Sequence, residues 1–454
     1  MNEAITMCKP LMKLNCLFLI LICALIGMSA PAHAQSIIRD SEIESYLSEW
    51  FAPIFKANDM DPSQVNIILV QNNDVNAFVA GGSNIFFYTG LIQKTEDPGE
   101  LIGVMAHELG HISGGHLVRG RDALKQASYE SILGTIIGVG AAVAAGDSRA
   151  VGTGSLAGSS IAQRRFLAKT RTFESSADQA AITSMKRAGM NTEGLLSFMQ
   201  KLEGQELLPA SQQSEYIRSH PLTRNRIQSI ETKVKESNNQ GKAFSAQWMD
   251  QHARMKAKLM GYIQPEKVQW FYDDKDLSIP AQYARALSHY RENRIDPALS
   301  TINALIEKEP DNPYFYELKG QMLVDFGRVQ QALPPLQKAV QLRSNDGLFR
   351  TALAHAQIET ATQDNAILTQ AISNLKIAAR AEPRSTRVHR LLATAYGRQN
   401  NGAFARLHLA EEALLQNKRP YAKQQAEKAL KNLPQNSSAA QRAKDIIFAS
   451  TKKK

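Results

Sequence analysis

At 454 residues the chain is too long for one compact core, so two domains are the default expectation. With 43% hydrophobic and 21% charged residues it has the composition of a globular protein, without the long polar tracts of a disordered one. The net charge of +10 is unevenly placed: residues 278–454 hold 26 basic and 15 acidic side chains, a net +11, whereas 35–277 hold 25 and 27, a net −2. Basicity confined to the C-terminal region points to an acidic partner or peripheral contact with an anionic surface, with a solvated helical surface as the alternative reading. The lack of aromatic-interleaved basic patches argues against nucleic acid.

In chain order, Lys9 and Lys13 precede an apolar run over 17–26, and Ala32-His33-Ala34 places small residues before Gln35. This is the pattern of a secretory signal over 1–34, cut near Ala34; the run is short for a retained membrane anchor, the alternative reading. Cys8, Cys16 and Cys23 are the only cysteines and all lie in that segment, so the exported chain is expected to fold without disulfides or thiolate chemistry. Periodicity then predicts a helix over 41–55, a strand over 66–70, and a hairpin of strands 76–80 and 85–89 joined by Gly81-Gly82-Ser83. A helix is expected to open at Glu100. The apolar stretch 132–145, with Gly134, Gly138 and Gly140, reads as a buried or interfacial segment, and 147–160 as a loop. Helices are expected over 161–187, 192–203 and 223–235, with a polar loop over 204–219.

Beyond Ser278 the pattern repeats. Ala298, Ile302, Leu305 and Pro310 recur 34 residues later as Ala332, Leu336, Ala339 and Ser344, and again as Ala371, Leu375, Ala378 and Pro383, then Ala422, Ala426, Ala429 and Pro434. Ala286, Gly320, Ala354 and Ala410 supply small residues on the preceding helices. A 34-residue period with small residues at helix crossings resembles tetratricopeptide repeats, closed by a capping helix over 436–451. Residues 387–415 can be phased in two ways.

The helix opened by Glu100 carries VMAHELGHISGGH at 104–116. Residues four apart share a helix face, so His107 and His111 can offer imidazole nitrogens to one metal ion, while Glu108 reaches a water on it without ligating. Zinc suits such a site, keeps a position open for water, and lowers the pKa of that water. The bland alternative is a helix with two solvated histidines. For a third ligand, His116 falls one residue short of the longer H-E-x-x-H-x-x-G-x-x-H pattern, a turn of about 100° around the helix, and reads as structural. A carboxylate from a second helix is the other solution: Glu174 and Asp178 in FESSAD share one face, the first able to coordinate and the second to reach the imidazoles or the reacting centre. His220 reads either as a helix-entry histidine before Pro221 or as an oxyanion stabiliser or gate at the open metal position, with Arg226 as a tether for its loop.

These residues carry a resemblance. His107-Glu108-Leu109-Gly110-His111 with Glu174 and Asp178 downstream, the hairpin NAFVAGGSNIFFYTGL at 76–91 and RSHPLTRNRI at 218–227 resemble the metallopeptidase family that includes the CAAX prenyl endopeptidases and HtpX. With the leader and the repeats, the whole chain is similar to the branch of that family that serves outer-membrane β-barrel assembly. The resemblance implies an α+β fold: a mainly helical gluzincin-type metallopeptidase domain with a small β-sheet over 35–277, then an all-α tetratricopeptide-repeat array over 278–454. It implies one Zn2+ held by His107, His111 and Glu174, Glu108 as base, and Asp178 as second active-site carboxylate, commonly a proton donor. It further implies a periplasmic endopeptidase acting on unfolded or misassembled envelope proteins, recruited by its repeats to the barrel assembly machinery. A chaperone or scaffold with secondary proteolysis is the rival reading.

Overall fold

A computed structural model describes residues 36–81, 83–116, 118–120, 150–237, 243–361 and 364–451, with side chains from Lys169 onward in the helix that starts at Ala150. The signal-like segment 1–34 and the apolar stretch 132–145 lie outside the described residues. Strands β1 (Ser36–Ile38), β2 (Asn66–Gln71), β3 (Ala77–Ala80) and β4 (Asn84–Tyr88) form one sheet in the order β1-β2-β4-β3. The expected hairpin closes as an antiparallel pair with Phe78 opposite Phe86, and Gly81 takes φ +60° in its turn. β4 also runs parallel to β2, which leaves β3 as a free edge.

Around the sheet lie α1 (Ser41–Ala57), α2 (Thr89–Lys94), α3 (Pro98–Ser113), α4 (Ala150–Arg187), α5 (Glu193–Leu202), α6 (Glu215–Ser219), α7 (Arg224–Lys235), α8 (Ala246–Ile263) and α9 (Val268–Phe271). Trp50, Phe51 and Ile54 of α1, Phe87 of β4, Leu101 and Met105 of α3 and Phe198 of α5 are fully buried in one core. The loop expected over 147–160 is instead helical from Ala150. That stretch contains no proline, and α4 extends backwards from an established helix, so no new nucleation is needed. The expected loop over 204–219 ends in the short helix α6.

The start of α3 is set locally: the Asp97 carboxylate accepts from Gly99 and Glu100 N–H groups, and Pro98 occupies the first turn. Its position against α4 depends on Gly110. A Cβ there would lie 2.8 Å from the Ala177 carbonyl oxygen and 2.9 Å from its Cα, so only glycine allows the two backbones to approach this closely. The crossing brings the FESSAD face onto the histidine face.

The repeats are α10 (Ile279–Arg291), α11 (Ile295–Lys308), α12 (Pro313–Asp325), α13 (Val329–Leu342), α14 (Gly347–Thr360), α15 (Asn365–Ala381), α16 (Thr386–Arg398), α17 (Gly402–Leu415), α18 (Arg419–Leu430) and the terminal α19 (Ser438–Thr451). The small residues Ala286, Gly320, Ala354 and Ala410 all sit in buried crossings. The doubly phased stretch forms two helices, and α17 packs on both α16 and α18. Ser278 caps α10, yet the array does not stand apart from the peptidase half, because Tyr314, Ala339 and Phe349 join its core. Glu42, 1% exposed, accepts from Tyr46 and Tyr283 hydroxyls and pairs with Lys258, which also meets Asp40.

Candidate active site

Four side chains converge where α3, α4 and the segment after α6 meet. His107 Nε2 lies 3.0 Å from His111 Nε2, 3.3 Å from Glu174 Oε2 and 3.4 Å from His220 Nδ1. His111 Nε2 is 3.4 Å from Glu174 Oε1, and His220 Nδ1 is 3.2 Å from Glu174 Oε2. Ligands at zinc distances of 2.0–2.1 Å stand roughly 3.3 Å apart in a tetrahedral array, and the separations of 3.0–3.4 Å around His107 and Glu174 are of that size. All four residues are buried.

The outer nitrogens support the same assignment. His107 Nδ1 faces Asp178 Oδ1 at 2.9 Å, His111 Nδ1 faces His116 Nδ1 at 3.0 Å, and His220 Nε2 faces the Ala77 carbonyl at 3.3 Å. Each imidazole thus has a polar group beside its outer nitrogen, the arrangement in which metal-ligating histidines are oriented. The residues present fit a metal of zinc type.

Electrostatics favour a cation here. Burial opposes charge on His107, but Asp178 and Glu174 outweigh it and push its pKa up to about 10. Burial, then the neighbouring His107 charge, pushes His111 down to about 2. Burial also works against ionised Glu174, yet His220 and His107 hold it well below the usual carboxylate range. The cluster thus stabilises one positive charge among several imidazoles.

Glu108 lies beside the quartet, 0% exposed, and neither carboxylate oxygen has a hydrogen-bonding partner among the described residues. Burial pushes its pKa up. His220 Nε2 is 3.4 Å from Glu108 Oε1. Asp178 is fully engaged: Arg226 donates to both its oxygens at 2.8 Å, and burial is outweighed by Arg226 and His107, which lower its pKa. Arg226 also donates to the Pro221 carbonyl at 2.7 Å and so ties the His220 segment to α4.

His116 does not follow the helical offset expected from sequence. α3 ends at Ser113, and Gly115 at φ +60° turns the chain back, so His116 supports His111 from outside the quartet and stacks on Phe173 at 4.7 Å. Two contributors escaped the sequence reading. The Ala77 carbonyl has no side-chain signature. Tyr216, whose ring backs His220 at 4.8 Å, was signalled only by its four-residue spacing from it.

Paired histidines and a carboxylate on crossing helices, beside a buried glutamate with free oxygens, define a metallopeptidase centre. Residues 39–234 match peptidase family M48 and residues 283–347 a tetratricopeptide repeat. Metalloprotease YcaL of Escherichia coli (strain K12) is 30% identical over 186 residues, covering 40% of this chain and 68% of the relative. The chain belongs to peptidase family M48, with tetratricopeptide repeats following the peptidase unit. The beta-barrel assembly-enhancing protease of the same E. coli strain is 25% identical over 334 residues, 71% of this chain and 66% of that protein. Its counterpart from Yersinia pestis is 25% identical over 302 residues, 64% of this chain and 60% of the relative. The chain thus spans slightly less than two thirds of the length of these relatives.

Proposed function

We propose that the chain is a zinc-dependent endopeptidase of the periplasm that cleaves unfolded or misassembled envelope proteins and assists outer-membrane β-barrel assembly. The observation that carries the hydrolytic reading is the buried quartet His107, His111, Glu174 and His220 beside Glu108, whose carboxylate oxygens accept no hydrogen bond among the described residues. The names of the E. coli and Y. pestis relatives support the barrel-assembly role, and the N-terminal pattern over 1–34 supports export. Among the described residues no helix is long and apolar enough to cross a membrane.

His107, His111 and Glu174 would hold the ion, which when bound supplies Lewis-acid polarisation of a peptide carbonyl and a water of lowered pKa. Glu108 would act as the general base, its carboxylate taking a proton from the attacking water and handing it toward the leaving amine. Its burial raises its basicity for this task. Asp178 acts through His107, holding the imidazole by Nδ1 while Arg226 balances its charge. β3, the edge strand on the side of the quartet, accepts an extended substrate backbone by strand addition. His220 gates the site: its Nδ1 stands in the fourth donor position and its Nε2–H occupies the Ala77 carbonyl, a group that an added strand would otherwise engage.

The test compares Glu108→Gln with Glu174→Gln for zinc content and cleavage of an unfolded protein. Glu108→Gln retains zinc and loses cleavage; Glu174→Gln loses zinc. Wild-type cleavage by Glu108→Gln removes the mechanism, and undiminished zinc affinity in Glu174→Gln removes that residue from the ligand set.

A further inference from the structure

Short connections fold α15 to α19 back and forth, each helix packed on the next. The α15–α16 turn, the α17–α18 turn and the C-terminal end of α19 therefore share one end of the array. Arg384 and Arg387 stand at the first turn and Lys418 at the second, all exposed. The same end exposes Leu415 by 36%, Tyr421 by 45% and Phe448 by 64%. We propose that this end is a membrane-contact surface that docks on an anionic phospholipid bilayer, with the cations on lipid phosphates and the three apolar side chains at headgroup level. The proposal goes beyond the peptidase reading of the site and does not depend on it.

The positive charge is available because the neighbouring acids are spent within the protein. Glu382, in the first turn, accepts from Arg39 of the peptidase half at 2.8 Å. Glu411 pairs with Arg442 at 2.6 Å and Glu412 with Arg390 at 2.8 Å, while Asp445 accepts from Gln441 at 2.9 Å. Arg384, Arg387 and Lys418 are left without an ion-pair partner among the described residues. The second turn is held in one shape: Asn417 takes φ +58°, Lys418 N–H donates to the Ala413 carbonyl at 2.8 Å, and Arg419 donates to the Asn417 side-chain oxygen at 3.2 Å. Ala422 and Ala426 of α18 and Ala443 and Ile446 of α19 fill the packed interior, which turns Tyr421 and Phe448 outward.

Single apolar side chains are ordinary on a protein surface; their coincidence with uncommitted cations is what points to a bilayer. A folded acidic partner asks for a continuous complementary patch of about 800 Å². A bilayer takes side chains one at a time. Aromatic rings settle at the headgroup level, and lysine and arginine stems lie along the apolar layer while their charges reach phosphate. Each cation near an anionic surface strengthens binding about five-fold. Neither signal alone gives more than marginal, reversible attachment, whereas the two together hold a protein on the surface.

The experiment sediments the full chain with vesicles of phosphatidylcholine alone and of phosphatidylcholine mixed with phosphatidylglycerol. Any contribution from the apolar run over 17–26 is common to every variant, and the neutral vesicles measure it. The chain is expected to bind the mixed vesicles far better, and less so as salt rises. Arg384→Gln combined with Lys418→Gln weakens that binding roughly 25-fold. Tyr421→Ser combined with Phe448→Ser lowers the part that survives high salt. All four positions are exposed, and unchanged zinc content and circular dichroism show that the variants fold. Phe448→Trp gives a reading that only a bilayer produces: the added emission shifts to the blue and is quenched by brominated lipid. Equal affinity for neutral and mixed vesicles, full binding by the double glutamine variant, or an added emission that lipid leaves unmoved overturns the proposal. Capture of soluble polyglutamate with no vesicle binding assigns the surface to an acidic protein instead. Glu174→Gln leaves vesicle binding as it was, so failure of the peptidase reading and failure of this one are read apart.

Discussion

Replacing Gly110 by alanine sets two effects of known sign against each other. Alanine is the better helix former by about 1 kcal/mol, so on propensity alone the variant is more stable. Its methyl, however, would stand 2.8 Å from the Ala177 carbonyl oxygen, 2.9 Å from the Ala177 Cα and 3.2 Å from the Ala180 Cβ. These are backbone atoms and a short methyl that cannot rotate away, so α3 and α4 must part by roughly 0.5–1 Å to restore ordinary contact. Overpacking of this kind costs about 1–3 kcal/mol, which outweighs the propensity gain at most of that range. The separation falls between His111 and Glu174, whose donor atoms are 3.4 Å apart. The larger effect is therefore expected on the metal, with zinc affinity lowered on the order of 10–100-fold, as when the support of a ligand is disturbed. Competition against a fluorescent chelator gives the affinity, and denaturant unfolding of the zinc-free protein gives the stability. A variant stabilised by about 1 kcal/mol with unchanged zinc affinity would refute the reasoning, because it would mean the two helices are not in contact at this residue.

Asp178→Asn keeps an oxygen beside His107 Nδ1 but leaves the buried Arg226 with Glu174 alone as counter-charge. Zinc affinity should drop about 10–100-fold, and an unchanged value in the chelator assay contradicts the positioning role. Glu42→Ala strips Lys258 of one of two carboxylates and leaves the Tyr46 and Tyr283 hydroxyls unpaired at the joint between peptidase and repeats. A loss of about 3 kcal/mol is expected in denaturant unfolding, and one below about 1 kcal/mol speaks against a tightly packed joint. His252, buried and 2.9 Å from the Thr95 hydroxyl, has its pKa pushed down to about 3 by burial and then by Lys256. The folded state resists its protonation, so its contribution is whole above the ordinary value near 6.5 and is lost as pH falls from there toward 3. At pH 5 the loss is about 2 kcal/mol. The difference in stability between pH 7 and pH 5 should shrink by that amount in His252→Gln, and an identical difference in the two proteins rules the effect out.

The parts of the site that share a helix face were legible, because spacing alone determines which side chains meet: His107 with His111, and Glu174 with Asp178. The hairpin was equally legible from its glycine turn. What spacing cannot reveal is a contact made across the chain. His220 reaches the quartet from 113 residues beyond His107, on a segment tied down by the Arg226 bond to a proline carbonyl, and its outer nitrogen finds a backbone oxygen. His116 lies outside the quartet, in keeping with a structural role, although for a different reason than helical offset: α3 stops before it, where Gly115 turns the chain. Residues 150–160 misled by composition: glycine and serine suggest a loop, but a long helix already formed downstream extends through them at little cost.

The charge asymmetry acquires a location only in the folded chain. The first repeats lie against the peptidase half: Tyr283 on α10, Tyr314 on α12 and Phe349 on α14 are spent on α1 and its neighbours, and Asp346 accepts from Ser41. From Lys376 to the end the sequence holds 17 basic and five acidic residues, more than the whole excess of the repeat region. Four of those acids are already engaged: Glu382 by Arg39, Glu411 by Arg442, Glu412 by Arg390 and Glu427 by Lys423. Lys376, Arg380, Arg384 and Arg387 on and around α15 and α16 are exposed. A recruiting role for the repeats would fall on their C-terminal half, where 17 basic residues stand against five acidic ones. An acidic partner held there is attracted less as salt screens the charges, whereas the docking of the first repeats, built on buried contacts, is not weakened in the same way.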